Sequence, residues 1–417
     1  MPAGGWTEVS HSEEQAVSFQ RSFDVLVTGG GVAGVAAALG AARAGLRTAL
    51  VEKTVFFGGL ATTGLVNVYL PLCDGNGTQV TCGIAEEFLH LSLRYGPGDV
   101  PPGWREGSRE ARKQRFATLF SPASFALALD EVLLEAGVEL WLDTLVCAPV
   151  MEGDRIVGVE VENKSGRGVL RAKCLVDATG DADVAHRAGA ECAEADNWLS
   201  LWAIQASLET AQRAVAQGSG APLLDSVRFG GDDSGRGAPP GRKWLGTDGE
   251  QVTQFLLESR KLLREHYRSR YAELGASERH DLFPVTLPSM AQFRTTRRIV
   301  GEATLRDGEH GRRVADSVGL VADWRKAGYV WEIPYGTLLP KRVTGLVAAG
   351  RCTSSEGDAW QVTRVIPPAA LTGQVAGLAA ALAARLDTTP DRLEVAILQG
   401  ALREKGIPLH IDENVRA

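Results

Sequence analysis

The chain has few of the residues that disulfide, metal or hydrolytic chemistry requires. Its 417 residues include six cysteines and seven histidines, with no C-x-x-C pair, no zinc-ligand spacing, no H-E-x-x-H segment and no Ser-His-Asp order of a hydrolase. Cys73 and Cys82 could form a redox pair, but their spacing is not that of a dithiol motif. The sequence therefore predicts reduced, mostly buried thiols, as is usual in a cytoplasm, and no metal site.

The chain also lacks an excess of positive charge and an apolar leader segment. The net charge of −7 disfavours a nucleic acid or an anionic membrane as partner. Residues 1–22 contain no apolar run of the kind found in signal peptides, so we expect a polar N-terminal tail and a cytoplasmic protein. The uncharged stretch Val365–Ala384 is long enough to span a membrane. Its two prolines and many alanines instead favour a helix packed in a protein core.

The most informative pattern that is present lies in Asp24–Glu52. A short apolar strand leads into Gly29, Gly31 and Gly34, which fit G-x-G-x-x-G, and an alanine-rich helix and a second strand follow. In such units the first glycine permits the turn, the second lets a pyrophosphate approach the backbone, and the third lets the helix pack on the strand. Glu52 lies at the end of the second strand, where a carboxylate binds ribose and disfavours NADP. The motif alone leaves FAD and NAD open.

Two later strands are predicted to return the chain to the same sheet. One ends in Ala178-Thr179-Gly180, and the strand 345–349 ends at Gly350-Arg351. The segment between them is rich in aromatic residues and is predicted to form an inserted cap. We therefore predict a discontinuous cofactor-binding domain at 23–190 and 341–385, a substrate or cap domain at 191–340, and a C-terminal helix and tail at 386–417. Single tryptophans of the cap are expected to be core residues, namely Trp198, Trp202, Trp244, Trp324 and Trp331.

Four segments are informative when they are taken together, namely Gly29–Gly34 with Glu52, Gly58–Gly64, Val176–Asp183 and Ile333–Gly377. This set resembles the bacterial FAD-dependent oxidoreductase family, which is more distantly related to fumarate reductase flavoproteins and to tRNA-modifying flavoproteins. The resemblance covers most of residues 23–385. It implies an α/β fold in which a Rossmann-like, glutathione-reductase-like FAD-binding domain carries an inserted α+β substrate cap domain.

The resemblance also implies which residues would bind FAD. Glu52 would contact the adenosine ribose, Gly31 the pyrophosphate, and the backbone at Val146 the adenine, whereas Gly59, Arg351 and Gly373 would lie beside the isoalloxazine or ribityl chain. Covalent attachment is not expected, because the second glycine loop holds no histidine. The remaining expected contacts lie in the same segments: Gly29, Val32, Ala33, Gly34, Lys53, Gly58, Leu60, Ala61, Thr62, Ala178, Thr179, Gly180 and Gly350.

Four side chains are candidates for the reaction itself. Arg364 directly precedes the uncharged stretch and could pair bidentately with a substrate carboxylate. Arg297 could also bind an anion, with a structural salt bridge as an equal alternative. Tyr335 and Glu356 could act as acid or base, although a loop carboxylate is usually only solvated.

The leading functional prediction is an FAD-dependent dehydrogenase or oxidase that transfers hydride between a small organic, anionic substrate and flavin. The first alternative is a flavin monooxygenase of natural-product biosynthesis, which Gly350-Arg351 disfavours because similar hydroxylases usually have Gly-Asp there. The second is a flavoprotein of RNA modification or of non-catalytic interaction, which the acidic balance disfavours. The electron acceptor stays open among O2, NAD and a protein, and the oligomeric state stays open, a dimer included.

Overall fold

The computed structural model describes residues 17–76, 78–100, 117–232, 234–274 and 279–413. The predicted tail therefore lies largely outside the described residues, as does the end of the chain at 414–417. The helices of the described part are α1 (Val32–Ala42), α2 (Ile84–Leu93), α3 (Pro122–Glu135), α4 (Asp183–Arg187), α5 (Leu208–Gln217), α6 (Gly249–Leu274), α7 (Gly357–Thr363), α8 (Ile366–Arg385) and α9 (Val395–Glu404).

The strands are mostly short, and the longest belong to the main sheet. They are β1 (Phe19–Thr28), β2 (Thr48–Val51), β3 (Val68–Tyr69), β4 (Thr118–Leu119), β5 (Glu139–Trp141), β6 (Leu145–Glu152), β7 (Arg155–Asn163), β8 (Gly166–Asp177), β9 (Cys192–Glu194), β10 (Asp196–Asn197), β11 (Ser200–Ser207), β12 (Asp225–Gly230), β13 (Trp244–Leu245), β14 (Leu282–Thr286), β15 (Arg297–Ile299), β16 (Ser317–Ala322), β17 (Val330–Pro334) and β18 (Leu346–Ala348).

The main sheet has seven strands in the order β5-β2-β1-β8-β7-β6, with β18 also paired to β8. The pairs β5-β2, β2-β1, β1-β8 and β8-β18 are parallel, whereas β6, β7 and β8 form an antiparallel meander. The parallel strands are apolar and buried near their carboxyl ends, as at Val25–Val27 of β1 and Leu346–Ala348 of β18, because both faces of the sheet are covered there. The carboxyl ends of β1, β2, β8 and β18 consequently lie along one edge. This arrangement confirms the predicted α/β class.

Helices α1 and α8 pack on one face of the sheet with their backbones in close contact. A Cβ built at Gly373 would lie 2.1 Å from the carbonyl oxygen of Ala33, and one at Gly377 would lie 1.9 Å from that of Ala37. Small residues let two helix backbones approach in this way, because any larger side chain would hold them apart. The alanine-rich composition of α1 and α8 therefore serves helix packing.

Helix α8 contains almost all of the uncharged stretch that is long enough to span a membrane. Among the described residues it is the one helix whose length and composition would suit a membrane span, and 89% of its most apolar window is buried inside the protein. It begins at Ile366 with prolines at its first positions. The prediction of a helix packed in the core is confirmed.

The aromatic-rich segment contributes a three-stranded antiparallel sheet in the order β12-β11-β14. Helix α6 packs on this sheet, where its Leu263 and Tyr267 share a hydrophobic cluster with Leu201 and Leu282. Helix α5 begins with a capping box, in which Ser207 Oγ accepts from the backbone N–H of Thr210. These elements give the segment the mixed α and β content expected of a cap.

Two predicted boundaries do not coincide with the packing. Residues 19–22 are not part of a tail, because they form the start of β1 and pair with β8. Strands β16 and β17 fall within the predicted cap, yet Val318, Val321 and Trp331 pack in the same hydrophobic cluster as α1 and α8. The C-terminal helix α9 joins this cluster as well, through Leu398. We propose that the cap ends near residue 300 and that the FAD-binding domain extends to the C-terminal helix.

Candidate functional site

A cleft lies at the carboxyl ends of β1, β2, β8 and β18. Parallel sheets with helices on both faces bind ligands at this edge. Most lining residues come from the turns that follow these four strands and from the start of α8, whereas Met290 lies between β14 and β15 and Arg364 directly follows α7. The lining residues are Gly29, Gly31, Val32, Ala33, Glu52, Lys53, Thr54, Gly58, Gly59, Leu60, Ala61, Thr63, Ala178, Thr179, Gly180, Asp181, Met290, Ala349, Gly350, Arg351, Arg364, Ile366 and Ala369.

The glycines of the first turn differ in what surrounds them. Gly29 has a φ of +92°, and a Cβ there would lie 2.5 Å from the carbonyl oxygen of Ala178, so the turn requires glycine. A Cβ at Gly34 would lie 1.8 Å from the carbonyl oxygen of Gly29. A Cβ at Gly31, by contrast, would meet no protein atom within 4 Å. The space above Gly31, at the N-terminus of α1, is therefore left open by the protein.

Glu52 is buried at the edge of this space. Its carboxylate accepts hydrogen bonds from the backbone N–H of Gly30 at 2.7 Å and from that of Thr54 at 2.8 Å. These bonds fix the carboxylate against the glycine turn. Each carboxylate oxygen has a further lone pair that can accept from a hydroxyl donor.

The second glycine loop lies directly against the first. Gly31 and Gly58 form an isolated parallel bridge, and a Cβ at Gly59 would lie 3.1 Å from the Cα of Gly31. Both loop glycines have positive φ, at +103° for Gly58 and +54° for Gly59. Thr62 closes the turn by donating from Oγ1 to the carbonyl oxygen of Phe57 at 2.6 Å. The two glycine turns thus form one wall of the cleft, in which the glycines present backbone without side chains.

The turn after β8 is held by Asp177 and Arg351. The buried Asp177 carboxylate accepts from the backbone N–H and the hydroxyl of Thr179 and from the N–H of Ala185. Burial raises the pKa of this carboxyl. Arg351 donates from Nε to the carbonyl oxygen of Gly180 at 2.9 Å and from Nη2 to Asp181 at 2.6 Å. Arg351 therefore ties the ends of β8 and β18 together.

An apolar pocket of about 310 Å³ adjoins the cleft. This volume is at the lower end of that typical of small-molecule sites. Leu60, Ala61, Arg364 and Ile366 line both cavities, so the two are contiguous. The pocket's other lining residues are Val66, Val68, Leu70, Ser200, Trp202, Arg228, Asp232, Gln292, Phe293, Arg294, Trp324 and Val365.

A comparison with known families identifies the family of this chain. The model of the family described as "FAD dependent oxidoreductase" matches residues 24–203 and 235–402, which include all four strand ends and both glycine turns. This chain belongs to the FAD-dependent oxidoreductase family. It is accordingly an FAD-binding enzyme, as the sequence predicted.

The individual relatives of this oxidoreductase are distant. A digeranylgeranylglycerophospholipid reductase of Picrophilus torridus is 29% identical over 164 residues, which are 38% of this chain and 39% of that protein. A 3-oxosteroid 1-dehydrogenase of Mycolicibacterium smegmatis is 36% identical over 85 residues, 20% of this chain and 14% of that protein. The chain thus aligns with well under half of the length of these relatives.

Two solved structures also align with most of the chain. The geranylgeranyl bacteriochlorophyll reductase-like protein of Thermoplasma acidophilum has a TM-score of 0.40 at 15% identity, covering 93% of this chain and 82% of that one. CabE, an aromatic hydroxylase from angucycline biosynthesis, has a TM-score of 0.45 at 16% identity, covering 92% and 66%.

The cleft of this FAD-dependent oxidoreductase contains most, but not all, of the residues expected at the cofactor. Four expected residues do not line it. Gly34 packs closely against the backbone of Gly29, and Gly373 packs closely against the backbone of Ala33. Thr62 closes its own turn, and the Val146 carbonyl oxygen accepts from Arg187 Nη1 at 3.0 Å. The expected position of Gly373 beside the flavin does not agree with its place between α1 and α8.

Three of the four candidate catalytic residues line neither the cleft nor the apolar pocket. Arg297 donates to the Asp181 carbonyl oxygen and to the Asp183 carboxylate, both at 2.9 Å. Tyr335 is buried and donates to the Pro390 carbonyl oxygen at 2.9 Å, and its burial raises its pKa. These two side chains have structural partners, and we do not retain them as catalytic candidates.

Glu356 is likewise engaged outside the two cavities, whereas Arg364 lines both of them. Glu356 pairs with Arg298 at 3.2 Å and Arg306 at 3.1 Å. Arg364 donates from Nε to Gln361 Oε1 at 2.7 Å. We retain Arg364 alone from the four candidates.

Sequence reasoning missed the residues that make the apolar pocket. Trp202 and Trp324 were expected in the core, yet both line the pocket, whereas Trp244 and Trp331 are indeed buried. Arg228 was not singled out. Nothing in the local sequence distinguishes a tryptophan that lines a pocket from one in a core, because both lie in strands or loops with the same apolar neighbours.

Proposed function

We propose that this enzyme oxidises a small organic substrate that carries an anionic group, by transfer of hydride to FAD. The observation that carries this proposal is the apolar pocket that opens into the cofactor cleft, with a guanidinium at the junction. An apolar pocket with a few convergent polar groups is the usual form of a small-molecule site. Bound FAD would supply the acceptor for two electrons and a proton.

We infer the cofactor contacts from the cleft geometry. The open space over Gly31 and the N-terminus of α1 suits the pyrophosphate, whose charge the helix dipole would stabilise. The fixed carboxylate of Glu52 suits the ribose hydroxyls. The wall formed by Gly58 and Gly59 suits a flat ring that needs close backbone approach. FAD would be held non-covalently.

The protein would contribute orientation and exclusion of water rather than a strong base. Among the described residues that line the pocket, Asp232 is the one carboxylate, and a hydrogen bond from Ser234 Oγ helps to hold its pKa at about 2. A carboxylate with so low a pKa is a weak proton acceptor near neutral pH. Correct placement of the reacting carbon is then the main contribution of this chain.

The proposal is tested by mixing the purified holoenzyme anaerobically with a panel of small carboxylates, amino acids, alcohols and steroids. A dehydrogenase or oxidase substrate should bleach the flavin absorbance without any added nicotinamide cofactor. Bleaching that occurs with NADH or NADPH alone, followed by incorporation of oxygen from ¹⁸O2 into a product, would favour the monooxygenase alternative instead.

Arg364→Lys should retain FAD and lower kcat/KM about 10- to 100-fold, since a charge-assisted hydrogen bond contributes about 1.5–3 kcal/mol. Lysine keeps the charge but cannot form the two parallel bonds of a guanidinium to a carboxylate. The measurement is steady-state kinetics per bound flavin on a substrate found by the anaerobic panel.

Arg306→Lys is the matched control, because Arg306 pairs with Glu356 and lines neither the pocket nor the cleft. It should leave kcat/KM unchanged. Normal kinetics in both Arg364→Lys and Arg364→Ala, with only a lower melting temperature, would show that Arg364 holds the loop through Gln361 and does not bind substrate.

A further inference from the structure

Arg228 and Trp202 form one wall of the apolar pocket. They are directly opposite each other in the antiparallel pair β11 and β12. The guanidinium carbon of Arg228 lies 3.8 Å from the centroid of the Trp202 ring, which is a stacking distance. Cross-strand partners in such a pair hold their side chains on the same face of the sheet. The position of the guanidinium is therefore set by the strand register.

The backbone of Trp202, which carries the indole beneath the guanidinium, is hydrogen-bonded to Gln292. The backbone N–H of Trp202 donates to Gln292 Oε1 at 2.8 Å, and Gln292 Nε2 donates to the Trp202 carbonyl oxygen at 3.0 Å. Gln292 Nε2 also donates to the carbonyl oxygen of Gly64, in the second glycine loop. This wall of the pocket is thus fixed to the segment that lines the cofactor cleft.

Stacking occupies the face of the Arg228 guanidinium and leaves its edge available. All five N–H donors of a guanidinium lie in its plane, and a stacked ring blocks only the direction perpendicular to that plane. Within the described residues, Arg228 has no ion pair with a carboxylate. The side chain is exposed to solvent, and partial desolvation lowers its pKa. A cation in these surroundings gains from an anionic partner more than a fully hydrated one does.

The other two guanidinium groups of the pocket are engaged differently. Arg294 Nη1 donates to the carbonyl oxygen of Gly231, and Arg364 Nε donates to Gln361. Arg364 also lines the cofactor cleft, whereas Arg228 and Trp202 line the pocket alone. Arg228 is therefore on the part of the pocket that is not shared with the cleft. The apolar side chains of Val66, Val68 and Leu70 also line only this part.

We propose that Arg228, stacked on Trp202, binds a carboxylate or phosphate at the end of the substrate that lies away from the flavin. The substrate class is then an amphipathic molecule with an apolar body in the pocket and two anionic groups, one bound by Arg364 beside the flavin and a second bound by Arg228 at the far end. This inference rests on the proposed function, because it takes the pocket as the substrate site. It assigns substrate affinity to Arg228 and orientation at the cofactor to Arg364.

The test is calorimetric titration of the FAD-loaded protein with 2-naphthoate, 2-naphthyl phosphate and the neutral 2-naphthalenemethanol. The wild type should bind at least one anion about tenfold or more tightly than the alcohol, as one charge-assisted hydrogen-bonded contact predicts. Arg228→Gln should bind that anion about tenfold more weakly than the wild type does, with the affinity for the alcohol unchanged. Arg228→Lys should keep part of the preference.

Arg242→Gln is the matched control. Arg242 stacks on Trp244 at 4.0 Å in the same manner, but neither residue lines the pocket. This variant should keep the full preference for the anion. If stacking served only to stabilise the cap, both variants would lower the melting temperature and neither would change the preference.

Equal affinity of the wild type for the anions and the alcohol, or no measurable binding of either anion, would overturn the inference. So would an anion preference that is undiminished in Arg228→Gln. The FAD content of each sample separates this failure from that of the proposed function. Wild-type protein that carries FAD but shows no anion preference contradicts only the role of Arg228, whereas protein unable to bind FAD contradicts the proposed site as a whole.

Discussion

Gly31→Val should yield a folded protein without bound FAD. Gly31 has φ −66° and ψ 178°, an extended conformation that valine adopts without strain. A Cβ at this position meets no protein atom within 4 Å, so we expect the added side chain to extend into the space proposed for the pyrophosphate. The measurement is the flavin absorbance of the purified variant, together with its circular dichroism and melting temperature.

Two further glycine-to-valine substitutions serve as controls for Gly31→Val. Gly249→Val adds the same side chain at another glycine whose Cβ would meet nothing within 4 Å, at the start of α6, and it should keep full FAD. Gly34→Val should instead fail to fold normally, because its Cβ would lie 1.8 Å from a backbone oxygen. A yellow Gly31→Val protein with wild-type FAD content would show that the pyrophosphate does not lie over this turn.

Gly373→Ala should lower the free energy of unfolding by on the order of 3 kcal/mol, at the upper end of the usual cost of overpacking a core. The added Cβ would lie 2.1 Å from the carbonyl oxygen of Ala33, so α1 and α8 would have to move apart. Alanine is favoured over glycine within helices by about 1 kcal/mol, and the expected loss is net of that gain. Denaturant unfolding followed by far-ultraviolet circular dichroism measures the effect.

Gly400→Ala is the matched control for Gly373→Ala, because it adds the same methyl group to a helix at a position without close neighbours. Gly400 lies inside α9, and a Cβ there would meet no atom within 4 Å. This variant should gain about 0.5–1 kcal/mol from helix propensity alone. If Gly373→Ala instead unfolded like the wild type but lost FAD, Gly373 would contact the flavin, as the sequence resemblance implied.

The predictions that succeeded from sequence were those that depend on local patterns. The strand, glycine turn, helix and strand of Asp24–Glu52 form as β1, α1 and β2, because their apolar runs and glycines are decisive within about 30 residues. Ser121, which directly precedes Pro122, caps α3 by accepting from the N–H of Ser124, and both residue types are typical of a helix start. The ends of β8 and β18 reach the same edge, because a parallel strand must enter the sheet in one direction.

The roles of the candidate catalytic side chains depend on partners in distant segments, and the sequence alone did not reveal these partners. Arg297, Tyr335 and Glu356 are chemically suited to catalysis, but their nearest partners are Asp183, the Pro390 carbonyl and two arginines. The residues that pair with each of them are distant in sequence or belong to another element. A sequence pattern contains no information on such partners, and burial or ion pairing then decides whether a reactive group is available.

The sequence by itself determined the cofactor unit, the class of fold and the family, because the turns and buried strands of a nucleotide site demand particular residues at fixed local spacing. Only the tertiary structure decided that Gly373 serves helix packing and that Trp202 and Arg228 line a pocket. Each of these roles depends on which atoms meet through space, between segments far apart in the chain. Contact between distant segments is set by the packing of the whole core, which no local spacing encodes.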